Sequence, residues 1–454
     1  MADVHLGIDI GSTKVAAVLT LSKKVNNTVV CEVVGAAKVR NDGVYKGNIK
    51  NPLKTKAAIR EALTIAVEKA SNPHLTNKSL LASVNVSGVH IEKIPSSITC
   101  RSSSVSDDDI NNLFKDIQMT FSSQTDEIVH LLPLKFSVGD QHEIIDPVGY
   151  TGLKLNGDFN VITANKASIQ LIKDALQNTN AVLNDGDGFA ASPLMSGLAL
   201  LTEPHKQLGV VVVDIGGGTT DVAIYHDGLL QHTAVLPFGG NHITDDIRLG
   251  CHLSTDSAEE AKITLSETDP NECSLNQLLV IPTAEGIPPI EVVARNVVLI
   301  ARARLREIAA LVLAEVKKAG FDERILRAGI ILTGGTTNMK GVEKIFKQVT
   351  NMHVQLGTAK GLTRTNAAIH DAVVNDPAFA TALGLSLHTV ETFFLDKRIR
   401  KPDDFVQTRQ EPKKGGSIWP FGGKEITSFK DAKEVGRTIW RGITKDDIGE
   451  SDTY

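Results

Sequence analysis

Two carboxylates bracket a run of three glycines in residues 208–221, LGVVVVDIGGGTTD. The valines before Asp214 are β-branched and apolar, which predicts a strand that is buried on both faces and ends near this aspartate. Glycines lack a Cβ, so the backbone N–H groups of the following turn can wrap a phosphate, and threonine hydroxyls add further donors. The residues of this turn predicted to bind nucleotide phosphates are Gly216, Gly217, Gly218, Thr219 and Thr220.

A carboxylate beside phosphates is repelled unless a cation lies between them. Asp214 is therefore predicted to hold Mg²⁺ through coordinated waters. The same pattern of apolar strand, aspartate, glycine and hydroxyls occurs at the amino terminus, where Asp9 takes the place of Asp214. Each copy predicts a β-hairpin whose turn faces an anion. The turn residues predicted to bind phosphate in this copy are Gly11, Ser12, Thr13 and Lys14, the last through its positive charge.

A third glycine turn follows the apolar residues 328–332 and includes Gly334, Gly335 and Thr336. Glycines at this point would let an adenine or a ribose lie against the backbone. This turn is therefore predicted to contact the adenosine part of a nucleotide.

A short charged segment lies between the second and third glycine turns. Glu259, Lys262 and Ser266 recur at helical spacing of three and four, which puts them on one helix face, and Glu and Lys together suit ribose hydroxyls. A surface ion pair is the alternative explanation for this face.

These motifs, in this order, resemble the actin-like ATPase superfamily of actins, sugar kinases and heat-shock chaperones. Within it the chain resembles the FtsA family of bacterial cell-division proteins almost from end to end. Further segments that carry the resemblance are GVYKGNI (43–49), NVSG (85–88), PVGYTGL (147–153), LPFGGN (236–241) and PAFATALG (377–384). The resemblance implies ATP and Mg²⁺ as cofactors, and it adds Gly239, Gly240 and Asn241 to the nucleotide-binding residues.

The fold class that the resemblance implies is α/β: a two-domain actin-like (ribonuclease H-like) ATPase fold with nucleotide in the interdomain cleft and an FtsA-type inserted subdomain, 1C. Subdomain 1A is predicted in three parts, 1–82 with the first phosphate hairpin, 162–206 and 363–395, and subdomain 1C is predicted at 83–161. Subdomain 2A is predicted in two parts, 207–243 with the second phosphate hairpin and 321–362 with the adenosine motif, and subdomain 2B is predicted at 244–320. The remaining residues are predicted to form a flexible linker (396–425), an amphipathic membrane-targeting helix (426–443) and an acidic tail (444–454).

Hydrophobic patterning predicts helices at 54–70, 109–119, 167–177 and 291–318, and short strands within 83–94 and 127–138. The helix at 291–318 carries Arg295, Arg302, Arg304 and Arg306. A solvated helix face would explain these arginines. The resemblance implies instead that subdomain 2B binds the carboxyl-terminal peptide of FtsZ, with Arg304 and Asn338 near that surface, and that subdomain 1C makes filament contacts and recruits later divisome proteins.

Composition sets further bounds on the function. A length of 454 residues with 42% hydrophobic content is enough for several large cores, and a net charge of −5 argues against a nucleic-acid binder driven by electrostatics. The four cysteines are far apart and show no metal-ligand spacing, which indicates reduced, structural thiols. The 13 histidines show no metal-ligand spacing either. No apolar run approaches the ~20 residues that span a bilayer, and no signal peptide precedes the first strand. The chain is expected to be soluble or peripheral.

The segment 426–443 combines apolar and basic residues at helical spacing, which is typical of a helix that lies in a membrane interface. Two glycines weaken this helix and an acidic tail follows it, so docking on the body or on a partner protein is the alternative. The predicted membrane-contacting residues are Phe429, Val435, Ile439, Trp440, Ile443, Lys433, Arg437 and Arg441.

Related ATPases orient the attacking water with a Glu or Gln in the helix before the second phosphate strand. Here Ser192 occupies that position, and serine is too short and too weak a base for the task. We therefore expect ATP to be bound and hydrolysed slowly or not at all, and no catalytic residue is assigned.

Three functions are compatible with the sequence. The first is a peripheral protein of the cytoplasmic face of the cell membrane at the division septum, which polymerises with ATP, tethers FtsZ filaments to the anionic membrane surface and recruits later divisome proteins. The second is a small-molecule kinase of the sugar type, since sugar kinases begin with similar hairpins. The third is an actin-like adaptor of pilus or secretion assembly, which would not need the linker and terminal helix.

Overall fold

A computed structural model of the chain describes residues 3–25, 28–72, 75, 78–121, 124–184, 188–274, 276–281, 288–364, 366–388 and 390. The predicted linker, membrane-targeting helix and acidic tail, with all eight predicted membrane-contacting residues, lie outside this range. Among the described helices, none is both long enough and apolar enough to cross a bilayer. All four cysteines are free thiols, and burial raises the pKa of the Cys31 thiol to about 11.

The first unit is built on a six-stranded mixed sheet, and its helices cover the two faces. The first two strands form the predicted antiparallel hairpin, in which Asp9 pairs with Ala16, and the first strand also pairs in parallel with Leu80–Val86. In spatial order the strands are Ala181–Leu183, Leu80–Val86, Asp3–Ile10, Lys14–Val25 and Thr28–Arg40, with Phe189–Ala191 also beside Leu80–Val86.

The helices of the first unit confirm two sequence predictions. The helix expected at 54–70 is Pro52–Lys69, which begins after Asn51 because the Asn51 side chain caps the free N–H of Lys54. The helix expected at 167–177 is Lys166–Leu176. The remaining short elements are the strands Val44–Tyr45 and Asn48–Ile49, the helices Ser192–Leu200, Glu203–Leu208, Ala367–Val374 and Ala380–His388, and the 3-10 helix Pro377–Phe379.

An inserted unit follows the strand Leu80–Val86 and carries its own core. Its antiparallel sheet has the spatial order His90–Thr99, Lys154–Asn165, Asp126–Val138 and Gln141–Ile144. One helix, Asp107–Thr120, packs on this sheet; it contains the predicted helix 109–119 and begins with a capping box between Ser106 and Asp109. Phe159 packs edge to face with Phe114 and Phe136 at the centre of this core.

The second unit repeats the topology of the first. Its sheet again starts with an antiparallel hairpin, Val210–Ile215 with Thr220–His226, and the first hairpin strand again pairs in parallel with a later strand, Gly329–Thr333. The five strands, in spatial order, are Leu229–Leu236, Thr220–His226, Val210–Ile215, Gly329–Thr333 and Val354–Leu356. Val210–Val213 are buried on both faces, as their β-branched run predicts.

The outer part of the second unit is helical, with one difference from the prediction. The helices are Gly240–Cys251, Thr255–Leu265, Ala294–Lys318 and Val342–Thr350, with the 3-10 helix Gly335–Asn338. The helix expected from residue 291 begins only at Ala294. Residues 290–293 form a strand that pairs with Leu278–Ile281, because the β-branched Ile290, Val292 and Val293 fit a pleated sheet better than a helix turn.

Candidate functional site

The turns of the two repeated hairpins face each other across the cleft between the two units. A Cβ atom added at Gly217 would lie 2.4 Å from Thr13 Cγ2, so only glycine permits this approach of the two turns. The cavity between the turns is about 60 Å³. Its walls include Asp9, Gly11, Ser12, Thr13, Lys14, Gly47, Asn85, Ser192, Asp214, Gly216, Gly217, Gly218, Thr219, Asp221, Gly334, Gly335 and Thr381. Most of the predicted phosphate-binding and metal-side residues are thus brought together.

The first hairpin places a cation against its carboxylate. Lys14 Nζ donates to Asp9 Oδ2 at 2.8 Å, and both side chains are largely buried. Burial alone would lower the pKa of the Lys14 ammonium, but the nearby charge of Asp9 and its hydrogen bond, with Asp214 and Asp376 further away, raise this pKa above its ordinary value. Lys14 is therefore a fixed positive charge at the cleft.

The second hairpin contributes two carboxyl groups, the half-buried Asp214 and the buried Asp221, which are paired across its strands. Burial, reinforced by the charge of Asp9, raises the pKa of Asp214, while hydrogen bonds from Ser196 and Thr381 and the charge of Lys14 act in the opposite direction. Burial also raises the pKa of Asp221 well above its ordinary value, and Asp221 Oδ1 is buried without a hydrogen-bond partner among the described residues. A buried carboxyl oxygen without a partner is suited to a ligand proton, a water or a cation.

The donors of this cleft fit a polyphosphate and a hydrated divalent cation. Hydrogen-bond donors for an anion come from the two glycine turns and from the hydroxyls of Ser12 and Thr13. Positive charge comes from the Lys14 ammonium. No group of three or more His, Cys, Asp or Glu side chains surrounds a metal position in the described part of the chain. Mg²⁺ characteristically binds through one or two carboxylates, waters and substrate phosphates, so Asp9 and Asp214 match its needs.

The Gly334 turn, predicted to contact adenosine, and the segment Gly239–Asn241, predicted to bind the nucleotide, meet at the back of the second hairpin. The backbone N–H groups of Gly240 and Asn241 donate to the carbonyls of Gly216 and Gly217 at 2.9 and 2.8 Å. Thr336 Oγ1 donates to the Gly216 carbonyl at 2.9 Å. Three distant segments of the sequence therefore form one surface beside the cleft.

Glu259 and Lys262 lie on the helix Thr255–Leu265 as an ion pair of 2.7 Å. Lys262 Nζ also donates to the Gly240 carbonyl at 3.2 Å, which links this helix to the start of the helix Gly240–Cys251. Ser266 differs from the prediction, because it ends the helix in a left-handed conformation instead of continuing the face. Its hydroxyl donates to the carbonyl of Asn338 at 3.2 Å.

Thr220 and Gly239 support the second hairpin from behind. Thr220 is fully buried, and its hydroxyl donates to the Phe238 carbonyl at 2.8 Å. A Cβ added at Gly239 would lie 2.6 Å from the Gly216 carbonyl oxygen. The structure therefore places both residues against the backbone of the hairpin and its neighbour, outside the cavity wall.

Ser192 lies at the cavity wall, on the first turn of the helix Ser192–Leu200. Its hydroxyl accepts a hydrogen bond from Asn85 Nδ2 at 3.2 Å and donates to the Val86 carbonyl at 3.4 Å. Sequence reasoning did not assign Asn85, although it belongs to the NVSG segment. It also missed Ser196 and Thr381; Ser196 is one helical turn after Ser192, a spacing that could have indicated it.

The two residues predicted near an FtsZ-binding surface have different surroundings. Arg304 makes a bidentate ion pair with Asp246, with N–O distances of 2.6 and 2.9 Å, and a second pair with Glu307. Asn338 Nδ2 donates to Asp376 Oδ1 at 3.4 Å, next to the glycine turn at Gly334. Arg302 contacts the Thr268 carbonyl and Gln348, so the arginines of this helix do not share one face.

Comparisons with known proteins identify the family of the chain. The family model "Cell division protein FtsA" matches residues 211–384, and the model "SHS2 domain inserted in FTSA" matches residues 87–163. The FtsA protein of Pseudomonas aeruginosa is 30% identical over 391 residues, covering 85% of this chain and 89% of the relative. The FtsA protein of Neisseria meningitidis is 29% identical over 380 residues, covering 83% and 88%.

Solved structures support the fold independently. A chain of the PilM-PilN type IV pilus biogenesis complex superposes with a TM-score of 0.56 at 15% identity, covering 85% of this chain and 98% of that chain. This likeness concerns the fold alone. The repeated hairpin units, the inserted unit and the sequence relatives together confirm the predicted fold class and family: the chain has the actin-like ATPase fold and belongs to the FtsA family of cell division proteins.

Proposed function

We propose that this protein binds ATP together with Mg²⁺ in the cleft between its two units. The observation that carries the proposal is the pair of facing glycine turns, which close on the charged groups Asp9, Lys14 and Asp214. Ser12, Thr13, Lys14 and the turn Gly216–Thr219 would hold the phosphates, and the Gly334 turn with Lys262 and Glu259 would face the adenosine. Asp9 and Asp214 would hold Mg²⁺ through waters. The ion, when bound, would neutralise phosphate charge and orient the triphosphate.

Hydrolysis of this nucleotide is expected to be slow or absent. The Ser192 hydroxyl is engaged with Asn85 and the Val86 carbonyl, and its short side chain has little reach towards a water. A general base must lie within hydrogen-bond reach of the proton that it removes and must have a suitable pKa, and serine lacks that pKa. Nucleotide occupancy, and not turnover, would then set the state of the protein.

The proposed cellular role follows from family membership and from the sequence pattern of the tail. The protein would polymerise in the ATP-bound form, bind the FtsZ carboxyl-terminal peptide through subdomain 2B and recruit later divisome proteins through subdomain 1C. The amphipathic segment 426–443 would attach these filaments to anionic lipids at the division site, on the cytoplasmic face of the membrane.

Co-sedimentation with vesicles tests this role. The full chain and a version that ends at Gly415 are mixed with anionic liposomes and Mg-ATP, and the pellets are viewed by electron microscopy. The expected result is that only the full chain pellets and coats the vesicles with filaments. Neutral liposomes are the matched control and should retain less protein, since part of the attraction is electrostatic.

Three results would contradict the proposal. If both versions stay soluble and unpolymerised, the tail does not attach the protein to lipid. If the full chain then transfers phosphate from ATP to sugars, the kinase alternative accounts for the cleft, whereas capture of a pilus or secretion component in place of FtsZ would favour the adaptor alternative.

A further inference from the structure

The carboxylate of Asp214 receives hydrogen bonds from two hydroxyl groups of the other unit. Ser196 Oγ donates to Asp214 Oδ2 at 2.6 Å, and Thr381 Oγ1 donates to the same oxygen at 2.9 Å. The two hydroxyl oxygens are themselves 2.9 Å apart. Ser196 is fully buried and Thr381 nearly so. One oxygen of the proposed metal-side carboxylate is therefore enclosed by two donors from the first unit.

The two hydroxyls come from helices that are packed together without space between them. Ser196 lies on Ser192–Leu200 and Thr381 on Ala380–His388. An added Cβ at Gly384 would lie 1.9 Å from the Met195 carbonyl oxygen, so the backbones of these helices are in direct contact. A rigid pair of helices presents the two hydroxyls at fixed positions, and it thereby fixes the orientation of the Asp214 carboxylate.

The other carboxylate oxygen, Asp214 Oδ1, lies beside Gly334, and both residues line the cavity. Both hydroxyls donate to Oδ2. If the carboxylate rotated to exchange its two oxygens, Oδ2 would lose both of these hydrogen bonds. A hydrogen bond to a charged group is worth more than one between neutral groups, so this arrangement favours a single orientation. Groups that hydrogen-bond to a metal-binding carboxylate commonly fix its orientation and thereby affect the affinity for the metal.

We propose that Ser196 and Thr381 are positioning residues for the Mg²⁺ site: they hold Asp214 Oδ2 so that Oδ1 stays directed at the waters of the bound ion. This inference rests on the proposed binding of Mg-ATP. It also connects the metal in the second unit to two helices of the first unit. A structural bond between the units is the competing explanation for these two hydroxyls.

Substitutions at Thr381 separate the hydroxyl from the shape of the side chain. Thr381→Val keeps the shape and removes the hydroxyl, whereas Thr381→Ser keeps the hydroxyl; Ser196→Ala removes the second donor with little change in volume. Thr333→Val is the matched structural control, because the Thr333 hydroxyl also crosses between the units, to the Pro377 carbonyl at 3.1 Å. Thr333 is paired with Asp214 on the neighbouring strand, but its hydroxyl does not bind the Asp214 carboxylate.

The measurement is the binding of a fluorescent ATP analogue to the full chain, titrated with Mg²⁺, and repeated in EDTA. Thr381→Val and Ser196→Ala should raise the Mg²⁺ concentration for half-maximal binding by about 10- to 100-fold. Thr381→Ser and Thr333→Val should stay close to wild type in this measurement, and the affinity in EDTA should be the same for all variants. Circular dichroism melting establishes that each variant is folded.

Three outcomes would overturn the inference. An unchanged Mg²⁺ requirement in both Ser196→Ala and Thr381→Val would show that the hydroxyls do not position the metal-side carboxylate. An equal loss of affinity with Mg²⁺ and in EDTA would assign them a structural role. Failure of the wild type to bind the analogue at all would overturn the proposed function and this inference together.

Discussion

Gly334 packs so closely against Asp214 that a Cβ atom added to the glycine would lie 2.3 Å from Asp214 Oδ1. Gly334 also has a φ of +91°, a conformation that residues with side chains rarely adopt. The next residue differs in both respects: a Cβ at Gly335 would approach nothing closer than Ala378 Cβ at 3.8 Å. The first glycine of the turn is therefore required by the backbone and by Asp214, and the second is not.

We expect Gly334→Ala to destabilise the protein by at least about 2 kcal/mol, since it combines backbone strain with a clash at the Asp214 carboxylate. Gly335→Ala is the matched control and should change stability by less than about 0.5 kcal/mol. Urea unfolding followed by circular dichroism measures both. Equal stabilities of the two variants would show that the turn does not hold Asp214 as described.

Lys14 is expected to be essential for nucleotide binding. Lys14→Ala removes the fixed positive charge beside Asp9 and leaves that carboxylate buried and unpaired, so binding of a fluorescent ATP analogue should weaken at least tenfold. Lys23→Ala is the control, because Lys23 lies on the same strand in a more exposed ion pair with Glu32, and such pairs contribute little. A Lys14→Ala variant that binds like Lys23→Ala would remove Lys14 from the phosphate site.

The local parts of this site could be predicted from the sequence, and the contacts between distant segments could not. The hairpins around Asp9 and Asp214 follow from short patterns of valines, glycines and hydroxyls, whose conformations are set by neighbouring residues. Thr381 lies in the segment PAFATALG, but no local pattern indicated its hydrogen bond to Asp214, because this bond depends on how two helices of one unit meet a strand of the other. The start of the helix at Ala294 was missed partly for a similar reason, since the β-branched residues before it form a strand that pairs with Leu278–Ile281.

Substitutions at Arg304 and at its partner Asp246 test the FtsZ-binding prediction, because they should change the affinity for the FtsZ peptide in opposite directions. Asp246 holds the Arg304 guanidinium in a bidentate pair, so an acidic peptide that uses Arg304 must compete with Asp246. Asp246→Ala should therefore tighten binding of the FtsZ carboxyl-terminal peptide by up to about fivefold, the range of a partly exposed ion pair. Arg304→Ala should weaken it.

Asp245→Ala is the matched control for this experiment. It makes the same change in net charge at the neighbouring position, but Asp245 is paired with Arg248. Fluorescence anisotropy with a labelled peptide measures the three affinities. If Asp245→Ala and Asp246→Ala have equal effects, the change comes from net charge alone, and Arg304 is not a specific contact of the peptide.

The protein is expected to lose stability in mild acid because of His388, which lies at the end of the last described helix. Burial lowers its pKa from 6.5 to about 4, so the folded protein keeps the ring neutral where the unfolded chain binds a proton. The unfolded state therefore binds more protons between these two values, and the contribution of His388 to stability is complete above about pH 6.5 and declines as the pH falls towards 4.

Between pH 7.5 and 5.5 this residue should account for a decrease of about 1 kcal/mol in the free energy of unfolding. The measurement is urea unfolding of the wild type and of His388→Gln at both pH values. The other histidines with lowered pKa values, among them His5 and His242, titrate in both proteins, so the difference between the two decreases isolates His388. Since glutamine does not titrate, the free energy of unfolding of the variant should decrease by about 1 kcal/mol less than that of the wild type between these pH values. Identical decreases would mean that the ring of His388 is protonated as readily in the folded protein as in the unfolded chain.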